Sequence, residues 1–157
     1  MTRRHLLSHL LSYSLSAAFA LAVAAPPAAF AQTPVITVHD AWARQPMGGR
    51  NMTGVFVVVE NAGPTPRAIV SAATDAAEKV ELHEMKNEGG MMRMSPVKQI
   101  DVPARGKVEL KPGSFHVMLF GIKGTPAAGD TMNLTLTFDD GTTVTTVAPF
   151  RRPEGMK

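Results

Sequence analysis

Short apolar segments separated by glycine- and proline-rich turns follow one another along most of the chain. Residues 55–59 read Val-Phe-Val-Val-Val, which is typical of a buried strand, and residues 131–138 alternate apolar with polar side chains, which is typical of a half-buried strand. The only helical expectation is a single turn over residues 74–78, with Thr74 as its N-cap. The pattern predicts strands over residues 35–44, 52–60, 67–73, 79–85, 91–94, 99–102, 106–110, 114–120, 131–138 and 142–147, followed by a tail from residue 149. One all-β domain, an antiparallel β-sandwich or barrel, is therefore expected.

The first 31 residues have the pattern of an export signal. Arg3 and Arg4 precede an apolar run over residues 6–25, and residues 29–31 read Ala-Phe-Ala, a small-x-small cleavage pattern. A transmembrane anchor is the alternative, but Pro26 and Pro27 favour cleavage. We expect a signal peptide over residues 1–31, a domain over residues 32–157, a periplasmic location and no stable membrane insertion after cleavage. Twin-arginine and general secretory export both remain open.

The net charge and the absence of cysteine exclude several classes of function for this protein. The chain has 16 basic and 13 acidic residues. Cleavage would remove Arg3 and Arg4 and no acidic residue, which leaves 14 minus 13, or a net charge of +1. With no run of basic residues beyond Arg151 and Arg152, nucleic-acid binding is not expected. The chain has no cysteine, so disulfides and blue-copper electron transfer are both excluded.

Histidine and methionine concentrate between residues 83 and 118. Because a strand turns alternate side chains to opposite faces, His83 and Met85 share one face of their strand. His116 and Met118 likewise share the outer face of a later strand. A turn centred on residues 88 and 89 predicts that His83 lies opposite Met94. The sequence leaves open whether the later strand lies against this hairpin. We predict one metal site formed by His83, Met94, His116 and Met118, with Met85 and Met92 as auxiliary candidates.

The donor types indicate which metal this site would hold. Thioether sulfur is a soft ligand that favours Cu(I), and imidazole binds copper in either oxidation state. Zinc sites use Cys, His, Asp and Glu, whereas calcium and magnesium sites use oxygen. All four predicted ligands are neutral when they bind, which favours a site near the surface.

Outside the predicted signal peptide, the remaining histidine and methionines are expected to have structural roles. Met52 and Met132 are expected in the core, and Met91 is expected to pack against its neighbours. Met47 and Met156 are expected in a loop and in the tail, respectively. His39 is expected to be structural.

The spacing of the four predicted ligands resembles that of the periplasmic copper-A chaperone family, PCuAC. The family pattern is His, ten residues, Met, twenty-one residues, His, one residue, Met, and His83, Met94, His116 and Met118 match each interval. Residues 41–44 (Ala-Trp-Ala-Arg) and 110–113 (Leu-Lys-Pro-Gly) also resemble the family. The resemblance implies a cupredoxin-like Greek-key fold that binds Cu(I) through those four side chains.

The same resemblance implies a partner and a role. It implies delivery of copper to the CuA domain of cytochrome c oxidase subunit II, alongside a Sco-type thiol protein. We therefore expect a monomeric copper metallochaperone rather than an enzyme. A periplasmic copper buffer is the first alternative, and a metal-free β-sandwich interaction module is the second.

Overall fold

The computed structural model describes residues 35–152, which fold into ten β-strands. Within that range no residue is helical, so no helix is available that could cross a membrane. The predicted signal peptide and Met156 lie outside the described residues. The strands are β1 (Ile36–Arg44), β2 (Met52–Asn61), β3 (Arg67–Ala73), β4 (Ala77–Glu88), β5 (Met91–Pro96), β6 (Ile100–Val102), β7 (Gly106–Leu110), β8 (His116–Ile122), β9 (Thr131–Phe138) and β10 (Thr143–Arg151).

The strands form one continuous path in the order β5-β4-β8-β2-β1-β10-β9-β3-β6, and β7 pairs additionally with β2. The join between its two halves is the parallel pairing of β1 with β10, where Ala43 lies opposite Phe150. The other described pairings are antiparallel. The all-β prediction is therefore confirmed, with one parallel pair that sequence periodicity did not predict.

The two halves of the path enclose a common hydrophobic core. Strand β9 buries Met132, Leu134, Leu136 and Phe138 and exposes or half-exposes the residues between them, as strict alternation requires. Strand β8 contributes Val117 and Leu119 to the same cluster. Full burial of such a side chain stabilises the fold by about 1.5–3 kcal/mol. Since the core takes one face of β8, the other face remains for His116 and Met118.

Two local expectations from the sequence are wrong. Residues 74–78 do not form a helical turn, because β4 already begins at Ala77, whose side chain is buried in the core. The hydroxyl of Thr74 still accepts a hydrogen bond from the amide of Ala76 at 3.2 Å, but it shapes a turn rather than a helix N-terminus. The last strand also extends through Pro149, which lies opposite Thr131 of β9, rather than ending at residue 147.

The β4–β5 hairpin turns one residue later than the sequence suggested. Gly89 and Gly90 both have positive φ, 62° and 84°, as a tight two-residue turn requires. Met94 therefore lies opposite Met85, and His83 lies opposite Pro96. The partners shift by two residues, and an even shift leaves each side chain on its predicted face. The error in register consequently did not change which side chains share a face.

Candidate metal centre

The two predicted histidine ligands are direct neighbours. Strands β4 and β8 pair so that His83 lies opposite His116, and their ring centroids are 5.8 Å apart. Both side chains are buried although they lie on the face turned away from the core, with residue exposures of 7% for His83 and 4% for His116. The adjacency that the sequence left open is therefore present in the fold.

The ring of His116 is fixed with one nitrogen available as a ligand. Its Nδ1 lies 3.0 Å from the backbone oxygen of Ser114, which can only accept a hydrogen bond. In the neutral ring Nδ1 thus carries the proton, and Nε2 keeps an unshared electron pair. That Nε2 lies 3.4 Å from the sulfur of Met94. Two electron-pair donors that face each other at this distance are suited to sharing a soft cation.

The ring of His83 is held by a carboxylate. Its Nε2 lies 2.8 Å from Oε2 of Glu81, so Nε2–H donates to that oxygen in the neutral ring. The other nitrogen, Nδ1, is buried and has no hydrogen-bond partner among the described residues. A buried polar atom without a partner is uncommon and calls for an explanation. Binding of a metal ion by Nδ1 would supply that explanation, and the site therefore fits a metal ion.

The two methionine ligands differ in how open they are to solvent. Met118 is 8% exposed and lies opposite Glu81 on β4 and Gly54 on β2. Met94 is 46% exposed and comes from β5, the end strand of the path. Met94, Met118 and His116 line one cavity of about 990 Å³. The structure thus places a buried thioether and an exposed one on the same cavity as His116, whereas His83 is not among the lining residues and lies beside His116.

Aromatic rings surround the histidines on the outer face. The ring of Phe56 lies 6.3 Å from that of His116, and the ring of Phe120 lies 6.0 Å from that of His83. Trp42 packs against Phe56 with ring centroids 4.5 Å apart. Gly54 leaves room for the Phe56 ring, because a Cβ there would lie 3.1 Å from the tip of that ring. These rings explain why imidazoles on an outer face are buried.

Burial and nearby charge set the protonation states around the site. Burial lowers the pKa of His116, and the nearby positive charge of Arg44 lowers it further, against the opposing hydrogen bond to Ser114. His116 is therefore neutral, as a ligand must be, at neutral pH. Hydrogen bonds from His83 and then from Lys79 lower the pKa of Glu81, so this carboxylate is ionised beside the site.

The two auxiliary candidates, Met85 and Met92, differ in their position relative to the cavity. Met85 lies directly opposite Met94 and lines the same cavity. Met92 lies opposite Asn87, is 55% exposed and is not among the residues that line the cavity. The structure thus brings Met85, but not Met92, to the cavity.

Of the methionines and the histidine given structural roles, Met132 is buried as predicted. Met52 was predicted in the core but is exposed at the rim of the cavity, and Met91 is exposed rather than packed. His39 is exposed and contacts Asp40 and Glu60.

Sequence reasoning missed Glu81 and Phe56 as parts of this site. Glu81 precedes His83 by two residues, so strand alternation already placed it on the ligand face. Nothing in the sequence marked Phe56, since it lies inside an apolar run that reads as core. Over residues 35–152, no three His, Cys, Asp or Glu side chains are grouped so as to hold a metal ion. The two histidines of this site are accompanied by thioethers instead.

Comparison with known proteins agrees with this architecture. Residues 36–150 match the family model LpqE-like, described as "Putative lipoprotein LpqE-like". The chain is 34% identical over 129 residues to "Putative lipoprotein Lxx21020" of Leifsonia xyli subsp. xyli, a match that covers 78% of this chain and 76% of that protein. The lipoprotein description of the family supports export of the protein.

Two solved structures show the fold in copper-bound form. The copper-bound PCuAC domain from PmoF2 superposes with a TM-score of 0.65 at 22% identity, over 76% of this chain and 95% of that domain. The solution structure of Cu(I)-DR1885 from Deinococcus radiodurans superposes with a TM-score of 0.62 at 30% identity, over 80% of this chain and 82% of that one. The cupredoxin-like fold predicted from the sequence is confirmed. The chain therefore belongs to the LpqE-like family, which is the family of the PCuAC copper chaperone domains.

Proposed function

We propose that this protein is a periplasmic metallochaperone that binds one Cu(I) ion through His83, Met94, His116 and Met118, and that it is not an enzyme. The observation that carries the proposal is the pair of histidine nitrogens with free electron pairs, Nε2 of His116 and the buried Nδ1 of His83. Both belong to rings that lie side by side, and one already faces a thioether sulfur. Copper-bound structures of relatives support the choice of metal.

The different exposures of the proposed ligands support an order for releasing the ion. Met94 is the most exposed of the four ligands and comes from an end strand, whereas His83 and His116 are buried. An incoming ligand from an acceptor protein therefore displaces Met94 first, and the three buried ligands leave after it. A thioether carries no proton, so its departure needs no proton transfer. The ion keeps its charge throughout, and no oxidant or reductant takes part.

We propose the CuA domain of cytochrome c oxidase subunit II as the acceptor, with a Sco-type thiol protein as a co-partner. The support is membership in the PCuAC family together with the accessible Met94 edge of the site. A neutral ligand that is exposed, as Met94 is, suits a protein that hands its ion on rather than one that retains it. The monomeric state is part of the same proposal.

A Cu(I) titration of the domain against a chromophoric chelator tests the binding step. We expect one tightly bound equivalent that is weakened sharply in Met94→Leu and in His116→Ala. Absence of a tight equivalent, or binding by both variants that is as tight as that of the wild type, would refute the site. Incubation of the loaded domain with the apo CuA domain then tests delivery, which requires copper to appear on the acceptor.

A deletion strain separates delivery from copper buffering. If the protein delivers copper, oxidase activity falls in low copper and is restored by added copper. If it acts as a buffer, oxidase activity is unchanged and growth fails in high copper.

A further inference from the structure

Three side-chain pairs form a ladder across the outer face of β4 and β8. Lys79 lies opposite Phe120, Glu81 lies opposite Met118, and His83 lies opposite His116. Directly opposed side chains in an antiparallel pair have Cβ atoms about 4.5–5.5 Å apart. The middle rung thus sets a carboxylate beside one predicted copper ligand, and the next rung holds the two histidines.

Glu81 uses both of its carboxylate oxygens in this ladder. Oε1 lies 2.6 Å from Nζ of Lys79, and Oε2 lies 2.8 Å from Nε2 of His83. Lys79 is placed in turn by the ring of Phe120, whose centroid is 5.7 Å from Nζ. The Glu81 side chain is 27% exposed, less than half the 67% exposure of Lys79. Glu81 is consequently held from one side and contacts a ligand on the other.

The hydrogen bond to Glu81 determines which nitrogen of His83 can bind a metal. A carboxylate only accepts, so the neutral ring keeps its proton on Nε2 and presents Nδ1 as the free electron pair. Without that acceptor the proton could move to Nδ1, where it would block the buried electron pair. A partner on the far nitrogen of a histidine ligand fixes the tautomer and orientation in many metal sites.

Glu81 also supplies the charge that the ligand set lacks. Two imidazoles and two thioethers are neutral, so bound Cu(I) would leave one positive charge in a partly buried place. Glu81 lies opposite Met118 and contacts His83, so its negative charge lies beside two of the proposed ligands. The guanidinium of Arg44 adds a positive charge near His116. Lys79 offsets part of the Glu81 charge from the solvent side.

We infer that Glu81 is a positioning residue of the copper site, which fixes His83 in the tautomer that binds through Nδ1 and places a negative charge beside the ion. This inference rests on the proposed function for the metal, but its first test does not need copper. The orientation of His83 is a property of the metal-free protein.

The first experiment measures histidine tautomers in the metal-free protein by ¹⁵N–¹H NMR at a pH where the rings are neutral. The expected result is a proton on Nε2 of His83 in the wild type and in Glu81→Gln, since the glutamine oxygen still accepts. In Glu81→Leu the ring should become a mixture or switch to Nδ1–H. The matched control is Glu84→Leu, which removes a glutamate of the same strand that pairs with Lys86 at 2.8 Å. Glu84 lies on the opposite face, so His83 should not change.

The second experiment measures Cu(I) affinity in the same variants. Loss of a partner that orients a metal ligand typically lowers affinity by about 10–100-fold, which is the range expected for Glu81→Leu. Glu81→Gln should lie between that variant and the wild type, because it keeps the hydrogen bond but loses the charge. Glu84→Leu should bind as the wild type does.

A wild-type His83 with its proton on Nδ1 would overturn the inference, whatever the variants do. So would unchanged affinity in a folded Glu81→Leu. If that variant does not fold, the wild-type tautomer and the Cu(I) affinity of Glu81→Gln still test the inference. If the wild type binds no Cu(I) while the NMR result holds, the copper function fails and the orienting role of Glu81 survives.

Discussion

Replacing Met94 by leucine separates copper binding from folding more cleanly than any other single change in this site. Met94 is 46% exposed and lies on a strand whose residues are all exposed, so its side chain adds little to the core. Leucine keeps the volume and removes the sulfur. Surface replacements of this kind change the free energy of unfolding by less than about 0.5 kcal/mol. The metal-free variant should therefore be as stable as the wild type.

The effect on copper binding can be estimated from the geometry. Removing a residue that only orients a ligand costs about 10–100-fold in affinity, so removing a ligand itself should cost at least about 100-fold. At a free Cu(I) concentration of about 1,000 times the wild-type Kd, binding stabilises the wild type by about 4.1 kcal/mol. The same concentration is then about 10 times the Kd of Met94→Leu, which gives about 1.4 kcal/mol. The variant should lose about 2.7 kcal/mol of copper-dependent stabilisation.

Chemical denaturation with and without buffered Cu(I) measures this difference. The matched control is Met91→Leu, since Met91 belongs to the same hairpin and is 61% exposed but faces away from the site. The control should retain the full copper-dependent stabilisation. Equal stabilisation of Met94→Leu and Met91→Leu by Cu(I) would refute the assignment of Met94 as a ligand. A loss of stability in metal-free Met94→Leu would refute the claim that its role is separate from folding.

Three further predictions use other parts of the fold. Trp42 is the single tryptophan and contacts Phe56, which packs near His116. Cu(I) should therefore change tryptophan emission in the wild type and change it less in Phe56→Leu. Equal changes in fluorescence titrations of the two proteins would contradict this. Burial holds the pKa of His116 below its ordinary 6.5, so its contribution to metal-free stability is complete above about pH 6.5 and is lost as pH falls through the lowered pKa. Urea unfolding between about pH 5 and about pH 8 should therefore show a smaller acid loss in His116→Phe, and an equal loss would point to other groups. Buried Asn61 donates a hydrogen bond to the Thr65 carbonyl at 2.8 Å and accepts one from the Gly63 amide at 3.0 Å. Calorimetry of Asn61→Ala should therefore show a loss of about 2–4 kcal/mol in the free energy of unfolding. The Cu(I) affinity of the folded variant should equal that of the wild type.

Strand alternation and turn residues predicted most of what positions this site. The alternation of residues 131–138 and the apolar run at residues 55–59 placed β9 and β2 correctly. The same alternation placed His83 and His116 on faces away from the core. Periodicity is a local property, however, and it cannot show that β4 pairs with β8 or that β1 joins β10 in parallel. Those pairings depend on contacts between distant parts of the chain.

The predictions that were wrong also depended on features that local sequence does not determine. Met52 lies next to a buried run but points to the other side of the sheet, where the cavity leaves it exposed. Residues 74–78 contain a hydroxyl that suits a helix N-cap, but pairing with β8 draws Ala77 into a strand. The turn at Gly89 and Gly90 could be misplaced by one residue because Glu88 and Gly89 also form a plausible turn pair. Only the backbone conformation distinguishes them.

The exposure of Met94 also makes this ligand accessible to oxidants. Conversion of its thioether to a sulfoxide would turn a soft, neutral sulfur donor into a polar group with a hard oxygen. Met118 is only 8% exposed and would be protected in the same exposure to peroxide. The site would therefore lose copper through one residue at its edge while the fold and the histidines remain intact. Methionine sulfoxide reductases could restore that residue, so oxidative damage to this protein should be repairable rather than terminal.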